Sequence, residues 1–290
     1  MTDDPTPTTL RRQLGARLRQ LRQEAGKTAQ QVADDLDFSI SKVSRMESGA
    51  RAVSEPDLVS LIRYFGVQTG EAAELEETAR GARRRREAWV DVVPPSTEFQ
   101  RFVSSGFIDL ERDAAYVREF NSGVVPGLLQ TSEYMRAMML QDAPEDRDVL
   151  ETAISLRLGR QARLSARGRY SVIIDEAVLA RVVGSSAVMH EQLQSIIGRC
   201  RVGAAEVRVI PFSAGFHPGL NSVFVALDMG RSGPNVVFIE GLVGFQRVDN
   251  IETITRFENV WQDLERCSAS RAESHALLAT YSDSYRRSRT

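Results

Sequence analysis

Apolar side chains recur every three to four residues through the first quarter of the chain, a period that predicts a run of short helices. Leu10, Leu14, Leu18 and Leu21 mark the first, over residues 9–25, and Gly26 ends it. Val32, Ala33 and Leu36 mark a second behind Thr28 as N-cap. Asp37-Phe38-Ser39 breaks the pattern. Ser39 then caps a third helix, in which Val43 and Met46 face inward, and Gly49 stands where a C-terminal cap requires positive φ. Ser54 caps a fourth helix with Leu58, Leu61, Ile62 and Phe65 on one side and Gly66 as its stop, and residues 69–86 carry a weaker fifth. Residues 1–8, polar with two prolines, read as disordered. The stretch 28–49 is helix, tight turn, helix, the unit that places its second helix in a DNA major groove.

Further along, the pattern is mixed. Residues 107–114 read as a helix and 116–121 as a strand. The turn Val125-Pro126-Gly127-Leu128-Leu129-Gln130-Thr131 leads into a helix over 132–140. Residues 145–165 are helical, with Leu150, Ala153, Leu156 and Arg160 recurring. Strand-like runs follow at 170–174, 207–212, 222–227 and 236–240, with helices at 176–183 and 187–201 between the first two. Gly230, Ser232, Gly233 and Pro234 make a hairpin-type connection between the last two. Ile251, Ile254, Phe257, Trp261 and Leu264 mark another helix, and a last one covers 269–286. The expected architecture is an all-α N-terminal domain of five helices (9–81), a linker (82–98) and a larger α+β domain (99–287) around an antiparallel or mixed sheet.

Charge sharpens the picture once it is divided. The whole chain carries a formal net charge of -2, but residues 10–66 hold ten basic and seven acidic side chains. That local basic excess suits a small DNA-reading module. Arg11, Arg12, Arg17, Arg19 and Arg22 line the polar face of the first helix, a solvated face from which one or two can reach phosphate. Arg80 and the run Arg83-Arg84-Arg85-Arg86 read as a linker face, or as a contributor of affinity without specificity. Cys200 and Cys267 are far apart with no CxxC, which reads as two reduced structural thiols. No apolar run approaches the roughly 20 residues of a membrane span, and no signal peptide opens the chain, so a cytoplasmic location is expected.

The third helix points Ser41, Lys42, Ser44 and Arg45 outward. Ser39 and Ser41 sit at the end that meets base edges or nearby phosphates, and Lys42 suits a phosphate. Arg45 can take a guanine or clamp a phosphate with the same fork. Thr28, Gln30, Gln31 and Arg51 complete the candidate DNA-contacting set. Glu47 reads as structural, paired inside the domain with a first-helix arginine such as Arg17.

Residues 10–66 resemble the XRE family of Cro- and phage-repressor-like helix-turn-helix domains, with Ser39-x-Ser41-Lys42-Val43-Ser44-Arg45-Met46-Glu47-Ser48-Gly49 similar to its second-helix signature. The family often has Gln where this chain has Ala29 and Gly where it has Asp37, a residue that tolerates the left-handed region better than most. The second half is similar to a C-terminal domain of unknown function fused to such modules in actinomycete regulators. That likeness is carried by Val125–Tyr134, Arg160-Gln161, Asp175-Glu176-Ala177-Val178-Leu179 and Val209-Ile210-Pro211-Phe212. The resemblance implies a transcriptional regulator, and some relatives are antitoxin-like repressors paired with a small protein encoded nearby.

Catalytic signatures do not emerge. His190, His217 and His275 share no metal-ligand spacing, and no GxSxG, Walker or GxGxxG motif occurs. Asp175 reads as the cap of the helix starting at Glu176 rather than half of a catalytic pair, and Leu128 and Leu129 read as core. Residues 215–219 are either a plain connection or one wall of a pocket. The expectation is therefore a non-enzymatic, sequence-specific transcriptional regulator without cofactor or metal. It would act as a homodimer on double-stranded DNA at an inverted-repeat operator. An antitoxin-like repressor binding a small protein and a small-molecule sensor are the alternatives. Activation versus repression and the regulated genes stay open.

Overall fold

The computed structural model describes residues 5–83, 105–142, 147–165, 169–241 and 244–288. The chain forms two compact units, an N-terminal helical one and a larger α+β one.

In the helical unit the first five helices are α1 (Pro7–Glu24), α2 (Ala29–Asp35), α3 (Ile40–Glu47), α4 (Glu55–Phe65) and α5 (Thr69–Ala82). α1 starts earlier than its leucine stripe suggests. Thr6 caps it by accepting the Thr9 N–H, and Thr6, Thr8 and Thr9 are buried, so residues 5–8 are ordered structure rather than a loose tail. Gly66 closes α4 in the left-handed conformation. Leu14, Leu18, Leu21, Val32, Ala33, Val43, Met46, Leu58, Leu61 and Leu75 form one core. The leucine stripe of α1 thus packs against α3 and α5.

The helical unit is not contiguous in sequence. It also takes in Gly106–Ala115 and Asp228–Asn235, stretches that the sequence reading assigns to the domain at 99–287. The reason is polar. Helix α6 (Phe107–Asp113) presents Asp113, whose carboxylate accepts the Thr6 N–H at 2.6 Å, and Asp109, whose carboxylate accepts the Thr8 hydroxyl. Arg12, buried, donates to the Asn235 carbonyl. Of the expected linker, 82–98, Ala82 closes α5 and Arg83 caps it, while residues 84–98, with Arg84-Arg85-Arg86, lie outside the described residues.

The α+β unit is built on a six-stranded sheet of order β3-β2-β1-β4-β5-β6. The strands are β1 (Tyr116–Asn121), β2 (Tyr170–Asp175), β3 (Glu206–Ile210), β4 (Val223–Asp228), β5 (Val236–Gly241) and β6 (Gly244–Val248). β1, β2 and β3 are mutually parallel, and β4, β5 and β6 antiparallel, so the sheet is mixed. The helices are α7 (Ser132–Asp142), α8 (Arg147–Ser165), α9 (Glu176–Ala180), α10 (Ser186–Arg201), α11 (Ile251–Cys267) and α12 (Arg271–Arg287). Alternation along the strands divides their side chains between two buried faces. Phe120, Ile173, Ile210, Phe224 and Val237 pack with Ile254, Trp261 and Leu264 of α11. Val117, Val172, Ile174, Val207 and Val209 fill the other face. α10 and α12 pack together and against β3. β6, at the sheet edge, is absent from the sequence reading because Phe245-Gln246-Arg247-Val248 shows no apolar alternation. No helix among the described residues is long and apolar enough to cross a membrane.

Candidate nucleic-acid interface

Side-chain caps hold the two motif helices. Thr28 Oγ1 accepts the Gln31 N–H at 3.1 Å while Gln31 Oε1 accepts the Thr28 N–H at 2.8 Å, a capping box that engages both side chains. Gln30 donates to Asp34 at 2.7 Å. The turn into α3 runs through Asp37 at φ 54, the one non-glycine residue with positive φ among the described residues. Aspartate tolerates this region better than most, which is how the turn forms without the glycine that related motifs use. Ser39 accepts the Lys42 N–H at 3.1 Å and starts α3.

Helical rotation sorts α3 into two faces. Val43, Met46 and Glu47 are buried, while Ile40, Ser41, Ser44 and Arg45 form a continuous exposed arc. Arg45 Nε donates back to the Ser41 carbonyl at 3.1 Å, which lays the guanidinium along the arc. Thr28, Gln30, Gln31, Ser39 and Arg51 are likewise exposed.

Lys42 is placed differently from the rest of the expected set. Its ammonium lies 2.6 Å from Asp57 Oδ1 and 3.7 Å from the centre of the Phe38 ring, and the side chain is largely covered. It braces the turn and α3 against α4 rather than reaching outward. Burial pushes the Asp57 carboxyl up. The Lys42 and Ser54 hydrogen bonds and the charges of Lys42 and Arg51 outweigh that and leave it below its usual value. A depressed folded-state pKa contributes stability that is present above the unfolded value, about 4, and is lost as pH falls through the folded value. Lys42→Met removes the main opposing partner. The acid limb of the unfolding curve, followed by circular dichroism, is therefore expected to move to higher pH.

The arginines of α1 are mostly engaged within the protein. Glu47 is gripped by Arg22 through two contacts of 2.6 and 2.9 Å and touched by Arg19 at 3.3 Å. Arg17, the partner suggested by the sequence, instead pairs with Glu71 at 2.5 Å and Glu24 at 3.2 Å. The difference is one of helical phase. Arg19 and Arg22 lie three apart on the side facing the end of α3, whereas Arg17 faces α5. Arg11 donates to the Ala82 carbonyl. Arg19, 47% exposed, is the most open of the five. Arg80 pairs with Glu77, and Arg83 donates to the Val53 carbonyl at 3.2 Å.

In the α+β unit the Val125–Thr131 turn is a structural hub. Gln161 donates to the carbonyls of Gly127 and Gln130, Gln192 to that of Leu129, and Arg199 to that of Leu128. Arg157 donates to Gln130 Oε1 at 2.6 Å. Leu128 and Leu129 are core, as their sequence context suggests. Asp175 caps α9 through the Ala177 N–H at 2.7 Å, and its second oxygen lies 3.0 Å from Nε2 of the buried His217. That pair fastens the 211–222 connection to the sheet. On either side of His217, Phe212 and Phe216 are 58% and 78% exposed, and Leu220 is 49% exposed. A cavity of about 260 Å³ lies elsewhere, lined by Tyr116, Tyr170, Cys200, Glu206, Arg271 and His275 among others. Both cysteines are free thiols, and burial pushes that of Cys200 up.

A capped helix pair with an exposed second helix, carried on a buried leucine core, defines a DNA-binding regulator of the helix-turn-helix class. Residues 13–75 match the family model described as a helix-turn-helix domain. Residues 104–280, more than half of the chain, match the model described as a domain of unknown function, DUF5753. The chain belongs to the family that this C-terminal domain defines, joined here to an XRE-like helix-turn-helix module. No curated protein and no solved structure matches it significantly.

Proposed function

We infer that this DNA-binding regulator reads a specific operator by laying α3 in the major groove and acts from the cytoplasm as a homodimer, without catalysis. The observation that carries the reading is the exposed arc of α3, where Ser41, Ser44 and Arg45 are free of the core that Val43, Met46 and Glu47 build. A single module of this size buries a modest area on DNA, so specific affinity calls for two copies on an inverted repeat. The half-site centres would then lie roughly 34–36 Å apart or a multiple of it. In this reading the α+β unit supplies the dimer contact and the response to an effector.

A partner protein is the favoured effector. Phe212, Phe216 and Leu220 put three large exposed apolar side chains on one surface connection, and apolar groups concentrated on a surface are what an interaction site uses. The cavity beside Tyr116, Tyr170 and His275 holds about 260 Å³, below the roughly 300–1,000 Å³ usual for ligand pockets, so that cavity by itself does not argue for a small-molecule effector.

Arg45→Ala tests the reading. If Arg45 takes a base, operator affinity is expected to fall by about 1–3 kcal/mol with relaxed specificity at one position. If it takes a phosphate, the loss is uniform across sequences and the salt slope shallows by about one. Unchanged binding by the folded variant, measured by fluorescence anisotropy over a salt series, would remove Arg45 from the interface.

A further inference from the structure

One side chain on the exposed arc of α3 is neither polar nor charged. Ile40, the first residue of the helix, is 50% exposed, while Val43 and Met46 on the same helix are each 2% exposed. Its exposure follows from helical phase. Ile40 lies in line with Ser44, one turn further on, and beside Ser41, away from the buried side. Both serines are short, so the isoleucine stands above them.

Solitary surface isoleucines are common and need no explanation by themselves. This one sits at the N-terminal end of the helix that the reading above places in the major groove, where base edges are closest. Among the base edges in that groove, the thymine C5 methyl is the apolar group that an aliphatic side chain can pack against. The serines beside Ile40 bond donors and acceptors alike and so discriminate poorly. An aliphatic contact would supply selectivity that they lack.

We propose that Ile40 is a specificity-determining residue that reads a thymine by packing on its C5 methyl. The proposal rests on the major-groove reading of α3. Replacing thymine by deoxyuridine deletes that methyl and leaves every hydrogen-bonding group of the base pair in place.

The test uses a duplex selected from a random pool by the full-length protein, with each thymine replaced in turn by deoxyuridine. The wild type is expected to lose about three- to tenfold in affinity at one position per half-site, the worth of burying a methyl-sized group. Ile40→Ala should bind the thymine duplex more weakly by a similar factor and become indifferent to uracil at that position. Ile40→Val, which keeps the branched methyl groups, should keep the sensitivity. Thermal melts of both variants show whether the fold is intact, as expected for an exposed first-turn residue. A wild type that selects a duplex yet is indifferent to uracil at every thymine overturns the proposal alone. So does an Ile40→Ala protein that keeps the wild-type sensitivity. A wild type that selects no duplex overturns the DNA reading and the proposal with it.

Discussion

Glu47→Ala is expected to destabilise the helical unit by about 3–5 kcal/mol. The carboxylate is 7% exposed and meets an Arg22 guanidinium that is itself 14% exposed. The two parallel contacts, 2.6 and 2.9 Å, form the bidentate geometry that suits an arginine fork. Removing the acid leaves Arg22 largely buried with its Lys27 carbonyl contact but without its counter-charge. A buried charge without a partner carries the full desolvation penalty. Glu47→Gln keeps an acceptor and is expected to cost less. Urea unfolding followed by circular dichroism measures both. A shift under 1 kcal/mol for Glu47→Ala would mean that the pair contributes little and that Glu47 has another role. DNA affinity of the alanine variant should follow the folded fraction rather than change at fixed fold.

Gly15→Ala is expected to be comparably damaging, for a steric reason. A Cβ on Gly15 would sit 2.5 Å from the Met46 carbonyl oxygen and 2.6 Å from that of Glu47. Both are backbone atoms at the end of α3, so no side chain can swing aside. α1 and α3 would have to separate at their crossing point, opening the core around Leu14, Leu18, Val43 and Met46. Overpacking of this kind costs about 3 kcal/mol, sometimes more. Gly49 tightens the same seam, with its φ of +69 and the Arg12 Cα 2.9 Å from where a Cβ would stand. Gly70→Ala is the control. Nothing lies within 4 Å of its added Cβ, and it is helical. It should be neutral or slightly stabilising. Gly15→Ala matching Gly70→Ala in a thermal melt would show that α1 and α3 do not approach as closely as described.

These residues also mark what a sequence discloses. Caps and stops are local, so Thr28, Ser39, Ser54 and Gly66 could be placed from neighbours a few residues away. The buried and exposed sides of α3 follow from the same period. The phase of Ile40, off the Val43–Met46 side, is legible in the same way, but an aliphatic side chain carries no polar mark of a contact. Long-range pairings were not. Lys42 looks like a phosphate contact until Asp57, fifteen residues on, folds against it. The partner of Glu47 depends on the rotation of α1, which the leucine stripe sets only to within a residue or two.

The α+β unit shows the same limit more strongly. α8 buries Leu150, Ile154, Arg157, Arg160 and Gln161 rather than the stripe through Ala153 and Leu156. Its core face is polar because Arg157 and Gln161 bond the Val125–Thr131 turn, so hydrophobic periodicity misreads it. α6 falls within the helical unit for a related reason. Two aspartates reach the start of α1 across some hundred residues of sequence, and no local pattern announces that.

The central claim is that the exposed arc of α3 reads DNA. It is tested most directly by selecting duplexes from a random pool with the full-length protein and with a Ser41→Ala, Ser44→Ala, Arg45→Ala variant whose melt matches the wild type. The wild type is expected to enrich one motif, present twice as an inverted repeat, and the variant is expected to lose that enrichment while keeping weak, salt-sensitive binding. A wild type that enriches nothing, or a variant that enriches the same motif equally well, would contradict the account.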